Sequence, residues 1–434
     1  MVKKILCLVV CAVIMSSVLY GCGGSASKSD SDGASGSTAS TATQEAKPVN
    51  IKIFQNQPEI IDAYHAYIDE YEKENPNVKI DIEIMQADYP TILKSKIASG
   101  DIPDVFCTTV GGELKAYEEY TADLTNEPLA AAMTDDVRKS VTYNGKVLGF
   151  PYKIDYNGIV YNKKLFADAG ITELPMTVAQ LEEACKKLQA KGITPFGNAY
   201  KEWWVEKHIF EHFLGAEGKG DPAKLVGDFI AGTTTFKDHP LLEKYFDFID
   251  LTVKYGLPKP LEIDFNGMVS AIGTGKVAMI TGTSTASEAG IIKLNPDIQL
   301  GFLGYPISDD EKDTNLCAGG AQCVRLYKDS PVLAETKKLY NWLYTSDYGK
   351  AWFGKVAKVN PPIKDAPIPD MQLPKSFQEL SKTLPVVGNP EDFSLDAFHQ
   401  KFGETTQAYI AKSKTKDQAI DEIQKAWIKF GAAK

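Results

Sequence analysis

Little in this chain could crosslink it or carry it repeatedly through a membrane. It has seven cysteines in 434 residues, a thin framework for disulfides. Cys7 and Cys11 lie in an N-terminal apolar run and Cys22 just after it, which leaves Cys107, Cys185, Cys317 and Cys323. Cys317 and Cys323 flank AGGAQ closely enough to be bridged, with four buried free thiols as the alternative. Cys185 falls on the stripe Val178, Leu181, Leu188 and is expected in a core. No second apolar run reaches spanning length. Excess positive charge is absent too: the formal net charge is −10, and removing Lys3 and Lys4 with the leader leaves −12. That argues against nucleic acid or anionic lipid as a partner and points to neutral or cationic ones. No Ser–His–Asp set stands out, and the scattered carboxylates cannot be paired into an acid and a base. Gly273-Thr274-Gly275-Lys276 is not a phosphate loop, because Ser270 and Val277 stand where that motif needs Gly and Ser or Thr. No cofactor is expected.

What is present begins with Lys3 and Lys4 before the apolar run Ile5 to Leu19, a signal-peptide core too short for a span. Leu19-Tyr20-Gly21-Cys22 resembles a lipobox, so residues 1–21 are expected to be removed and Cys22 lipidated, with an ordinary signal peptide as the alternative. The stretch from Gly23 to Ala46 is mostly Gly, Ser, Thr, Ala and Asp without an apolar period, so residues 22–47 read as a flexible tether. About 390 residues follow, more than one core usually serves, and two lobes are expected.

Val49, Ile51 and Ile53, then Val78, Ile80, Ile82 and Ile84, alternate as strands around a helix carrying Ile61, Tyr64, Ile68 and Tyr71. Tyr89 to Ser99 reads as a second helix and Asp104 to Phe106 as a third strand, giving a βαβαβ unit with a parallel sheet. Ligands of such sheets bind beyond the strand C-termini. Those ends nominate Gln55, Asn56, Asp88, Thr108 and Thr109 as ligand-binding residues. Past Pro151, Tyr152, Ile154 and Tyr156 alternate with Lys153, Asp155 and Asn157 in an extended crossing segment. Asn162 is placed to cap a helix from Lys163 to Ala169, and Thr177 with Gln180 forms a capping box. Lys201 to Leu214 reads as an aromatic helix. Its Trp203 and Trp204 point about a hundred degrees apart, so one is expected to stack on a ligand and the other to join a core. Val277 to Ile280 is a strand leading to Thr283 and Ser284; Gly319 and Gly320 allow backbone to approach a ligand closely.

The pattern from Val147 to Gly197, with GFPYKID, GIVYNKKLFADAG and a capped helix, resembles family 1 of the extracellular solute-binding proteins, which includes maltose-binding protein and the sugar-binding lipoproteins of bacterial importers. SGDIPDVF, GTGKVAMITGTS and VNPPIKDAP extend the resemblance over nearly the whole mature chain. It implies an α/β, two-lobed periplasmic-binding-protein-like fold of type II, each lobe a mostly parallel sheet flanked by helices, joined by hinge crossings. Lobe 1 would comprise 48–153 and 307–357, and lobe 2 154–306 and 358–434, with crossings near Pro151 to Asp155, Gly304 to Pro306 and Val359 to Pro362. It further implies a non-enzymatic monomer, lipid-anchored on the outer face of a membrane or periplasmic, that captures a mono- or oligosaccharide and passes it to an ABC permease. Asp155 matches a position whose carboxylate bonds sugar hydroxyls in maltose-binding protein. The family often carries a Trp after the strand ending at Ile280; Ser284 and Thr285 stand here instead, so one stacking surface is absent.

Two enzymatic alternatives remain at this level. His208-Ile209-Phe210-Glu211-His212 matches the H-x-x-E-H zinc-peptidase pattern, a short motif with a high false-positive rate. An extracellular glycoside hydrolase would likewise carry exposed aromatics and carboxylates.

Overall fold

The computed structural model describes residues 47–85, 88–218, 222–320, 322–388 and 394–431. The leader, Cys22 and the tether lie outside them. Residues Lys47–Lys434 form one compact unit built on two hydrophobic cores.

Its strands are β1 (Val49–Gln55), β2 (Val78–Ile84), β3 (Val105–Thr109), a short hairpin β4 (Thr142–Tyr143) and β5 (Lys146–Val147), β6 (Asp155–Asn157), β7 (Ile159–Asn162), β8 (Thr194–Phe196), β9 (Val277–Ile280), β10 (Leu300–Leu303), β11 (Leu316–Gly319), β12 (Gln322–Leu326) and β13 (Val386–Gly388). The first sheet runs β12-β3-β1-β2. Parallel β1 and β2 pair in register from Val49↔Val78 to Gln55↔Ile84 around the helix Ile61–Glu74, as the alternation requires. The second sheet runs β10-β7-β9-β8. Here parallel pairing is confined to β8·β9, and β7 lies antiparallel to both its neighbours. A parallel pair needs a long crossover; β8 and β9 have one, in the helices Trp203–Glu217 to Phe265–Gly273.

Between the sheets lies a third, β13-β11-β6, in which Asp155 pairs with Gly319. Ile154 N donates to Asn360 O at 2.9 Å, placing the chain near Val359 against the first crossing. Tyr305, expected at the second crossing, is fully buried in the second core. Leu316 belongs to that core and Cys323 to the first, so the chain passes back through β11 into β12. The reason is pairing: β11 supplies the hydrogen-bonding edge that β6 needs at the crossing.

Local signals act largely as expected. Asn162 Oδ1 accepts from Lys164 N and Leu165 N. Thr177 accepts from Gln180 N, but Gln180 Oε1 reaches back to Met176 N, so the box closes one residue early. Cys107, Cys185, Cys317 and Cys323 are buried thiols. Cys317 Sγ contacts Gly388 O and Cys323 Sγ contacts Leu148 O, so the two thiols are engaged apart.

Candidate functional site

A cavity of about 510 Å³ lies between the two cores, floored by the crossing. This is within the roughly 300–1,000 Å³ of small-molecule sites. Lys153, Asp155 and Asn157, the polar half of the alternation after Pro151, all line it. From the first sheet come Asn56, Gln57 and Glu59 after β1 and Thr108 and Thr109 at the end of β3; from the second come Thr283 and Ser284 after β9. Gly282 sets that last turn. Its φ is +65°, and a Cβ there would lie 2.6 Å from Val205 O, so a side chain would push the loop off its seat.

Trp203 and Trp204 open the helix Trp203–Glu217, and both line the cavity half-buried. Trp204 also packs against the second core and lies 5.7 Å from the Phe265 ring. Both indoles are therefore available to a ligand, one of them anchored.

The floor is ionic. Lys153 Nζ lies 3.1 Å from both Glu59 Oε1 and Asp155 Oδ1. Burial works against its charge, but the two carboxylates outweigh it and raise the pKa above the usual lysine value. Ser284 Oγ donates to the same Asp155 oxygen at 2.7 Å. In the wall, Lys207 Nζ lies 3.1 Å from Glu211 Oε1, and His208 Nδ1 3.1 Å from Glu211 Oε2. Burial and the neighbouring Lys207 charge keep His208 below the usual imidazole pKa.

Of the residues nominated from sequence, Asn56, Thr108, Thr109, Asp155, Trp203, Trp204, Thr283 and Ser284 come together around this cavity. Four do not line it. Gln55 is enclosed in β1 with 0% exposure. Asp88 is exposed where the helix Tyr89–Ser99 begins, its carbonyl accepting from Ile92 N. Gly319 is consumed by pairing with Asp155, and Gly320 sits against Pro151. Sequence reasoning missed Gln57, Glu59 and Lys153. For Lys153 the signal was present, since it shares a strand face with Asp155.

The histidines of the H-x-x-E-H pattern diverge. His208 lines the cavity, whereas His212 is buried with its ring stacked 3.7 Å from Tyr305 and Nδ1 3.2 Å from Asn315 Oδ1. No group of three His, Cys, Asp or Glu placed to hold a metal exists among the described residues.

Comparison with known proteins places this geometry. The family profile described as bacterial extracellular solute-binding protein matches residues 57–350. An uncharacterized ABC transporter extracellular-binding protein of Pyrococcus horikoshii is 26% identical over 90% of this chain and 89% of its own length. The melibiose/raffinose/stachyose-binding protein of Bacillus subtilis is 23% identical over 62% of this chain and 63% of its own length, somewhat under two thirds. Among solved structures, a sugar transporter from Bacillus licheniformis in complex with stachyose superposes with a TM-score of 0.74 at 21% identity, covering 87% of this chain and 98% of that one. At that identity the likeness is one of fold.

Proposed function

Because this chain belongs to the bacterial extracellular solute-binding proteins, we propose that it captures a mono- or oligosaccharide between its two cores and delivers it to the transmembrane subunits of an ABC importer. The observation that carries this reading is the pairing of two half-buried indoles, Trp203 and Trp204, with polar groups from both cores around one cavity of about 510 Å³. Indole faces suit the C–H faces of a sugar ring, and convergent polar groups suit its hydroxyls. The sugar-binding relatives support it.

Binding is the whole of its activity: the ligand touches both lobes, stabilises the closed arrangement about the hinge, and so couples occupancy to recognition by the permease. It acts as a monomer. Cys22 carries the lipid that holds it at the outer face of the membrane, on a tether of 22–47; Cys22→Ser protein should be shed or left unprocessed, and mature Cys22→Ser protein still partitioning with membranes would refute the anchor. Among the described residues no helix is long and apolar enough to cross a membrane.

A thermal-shift screen against a glycan panel including raffinose, stachyose and diacetylchitobiose tests the reading. A ligand at a hundred times its Kd adds about 2.7 kcal/mol of stability. A panel in which no saccharide shifts the melting temperature overturns it.

A further inference from the structure

β1 runs out into three consecutive amide side chains, Gln55, Asn56 and Gln57. Gln57 lines the cavity yet is only 2% exposed. Its Oε1 accepts from the Tyr64 hydroxyl at 2.7 Å, and its Nε2 has no hydrogen-bond partner. Asn56, beside it, lines the same cavity with Oδ1 buried and likewise without a partner. Buried polar atoms are nearly always bonded, and an orphan costs free energy comparable to a lost hydrogen bond. One orphan donor and one orphan acceptor, on adjacent residues facing one cavity, match a group that both accepts and donates.

We propose that Gln57, oriented by Tyr64, is a specificity-determining residue that donates through Nε2 to a ligand hydroxyl whose own proton goes to Asn56 Oδ1. This corner of the cleft therefore reads a free hydroxyl and rejects deoxygenated, O-alkylated or carboxylate groups at that position. A deoxy carbon leaves both amides unpaired, an ether oxygen offers Asn56 no proton, and a carboxylate meets the Asn56 oxygen with its own.

Tyr64 is built for the positioning role. It is fully buried, and its ring lies edge-on to Tyr152 of the crossing at 5.0 Å and to Tyr67 at 6.2 Å, which fixes where its hydroxyl points. Burial, and then the nearby Glu59 charge, raise its pKa well above the usual phenol value, so the hydroxyl keeps its proton and donates it to Gln57 Oε1. The Nε2 group is thereby left as the end of the amide without a partner, on a residue that lines the cleft.

The inference rests on the saccharide reading and is tested by calorimetry on the whole protein, with raffinose and its singly O-methylated derivatives as probes. Gln57→Glu keeps the shape and the acceptor facing Tyr64 but removes the donor; Gln57→Leu removes both and buries no charge. Each should weaken raffinose by about tenfold, near the upper worth of one neutral hydrogen bond. Each should also lose the wild-type preference for raffinose over the derivative methylated at the hydroxyl being read. Tyr64→Phe should lose the same preference while keeping part of the affinity, which a packing role alone would not produce. Wild-type affinity and preference in Gln57→Glu and Gln57→Leu overturn the Gln57 assignment and leave the saccharide reading standing. A wild-type protein that binds no saccharide overturns both.

Discussion

Ser284, in the turn after β9, donates to Asp155 Oδ1 over 2.7 Å and so fastens the second core to the crossing strand β6. Lys153 approaches the same oxygen at 3.1 Å and reaches Glu59 on the other side. The sequence Glu59, Lys153, Asp155, Ser284 is thus a continuous polar seam along the cleft floor. Both contacts fall on Oδ1 of Asp155, not on its second carboxylate oxygen.

Asp155→Asn retains the shape and removes the charge. Saccharide binding should weaken by about 1.5–3 kcal/mol, the worth of a hydrogen bond to a charged group. The free protein should also melt lower, because Lys153 loses half of its compensation. Calorimetry beside thermal melting separates these effects; unchanged affinity with a lowered melting temperature would assign Asp155 to the scaffold alone.

The two indoles should part company under truncation. Trp204 packs on Phe265 and the second core, so Trp204→Ala should lower stability by about 1.5–3 kcal/mol, the value of burying a large apolar side chain, besides weakening binding. Trp203→Ala should weaken binding with a smaller loss of stability. Equal losses of stability in the two variants would contradict the asymmetry.

Acid should destabilise the protein in two stages. Burial holds the His212 pKa down to about 3, only partly offset by the bond to Asn315. Unfolded histidine takes its proton near pH 6.5, so the neutral folded form contributes stability in full above about 6.5 and loses it as the pH falls toward 3. For Glu211, burial is outweighed by Lys207 and His208, and its pKa drops to about 2; its contribution is complete above about 4.5 and lost from there down to about 2. Unfolding free energies from denaturant titration should decline by up to about 1.4 kcal/mol per pH unit from His212 in the upper window. His212→Phe should reduce that slope and leave the lower stage in place. An undiminished slope between pH 6.5 and 4.5 would show that His212 is not its source.

Glu206 is 0% exposed, and neither carboxylate oxygen has a hydrogen-bond partner. Burial raises its pKa well above the usual value. A carboxyl with a raised folded pKa favours the fold at low pH and opposes it as the pH climbs past its unfolded value. Glu206→Gln should therefore stabilise the protein, more at pH 8 than at pH 5. Melting curves showing no gain at pH 8 would mean that the carboxylate is accommodated charged.

The periodic parts of the chain were legible because they answer to local rules. Alternation at Val49, Ile51 and Ile53 follows from one face of β1 being the more deeply buried, and Asn162 caps its helix because a short acceptor two and three residues ahead of free amides bonds them in any context. The polar face Lys153, Asp155, Asn157 was visible too, since a strand sends every second side chain the same way.

What the sequence could not determine is where distant segments meet. Glu59 and Lys153 are 94 residues apart and Asp155 and Ser284 129 apart, yet each pair is in contact. Gln57 looks like any loop amide until Tyr64 bonds its oxygen and the fold sets it in the lining of the cleft. Gly319 and Gln55 carry the same residue types as true lining positions, but pairing and enclosure remove them from the cavity. Propensity, capping and alternation are set over a few residues and fixed the elements; contact across the cleft is set by how two cores pack about a crossing, and only the tertiary structure decided it.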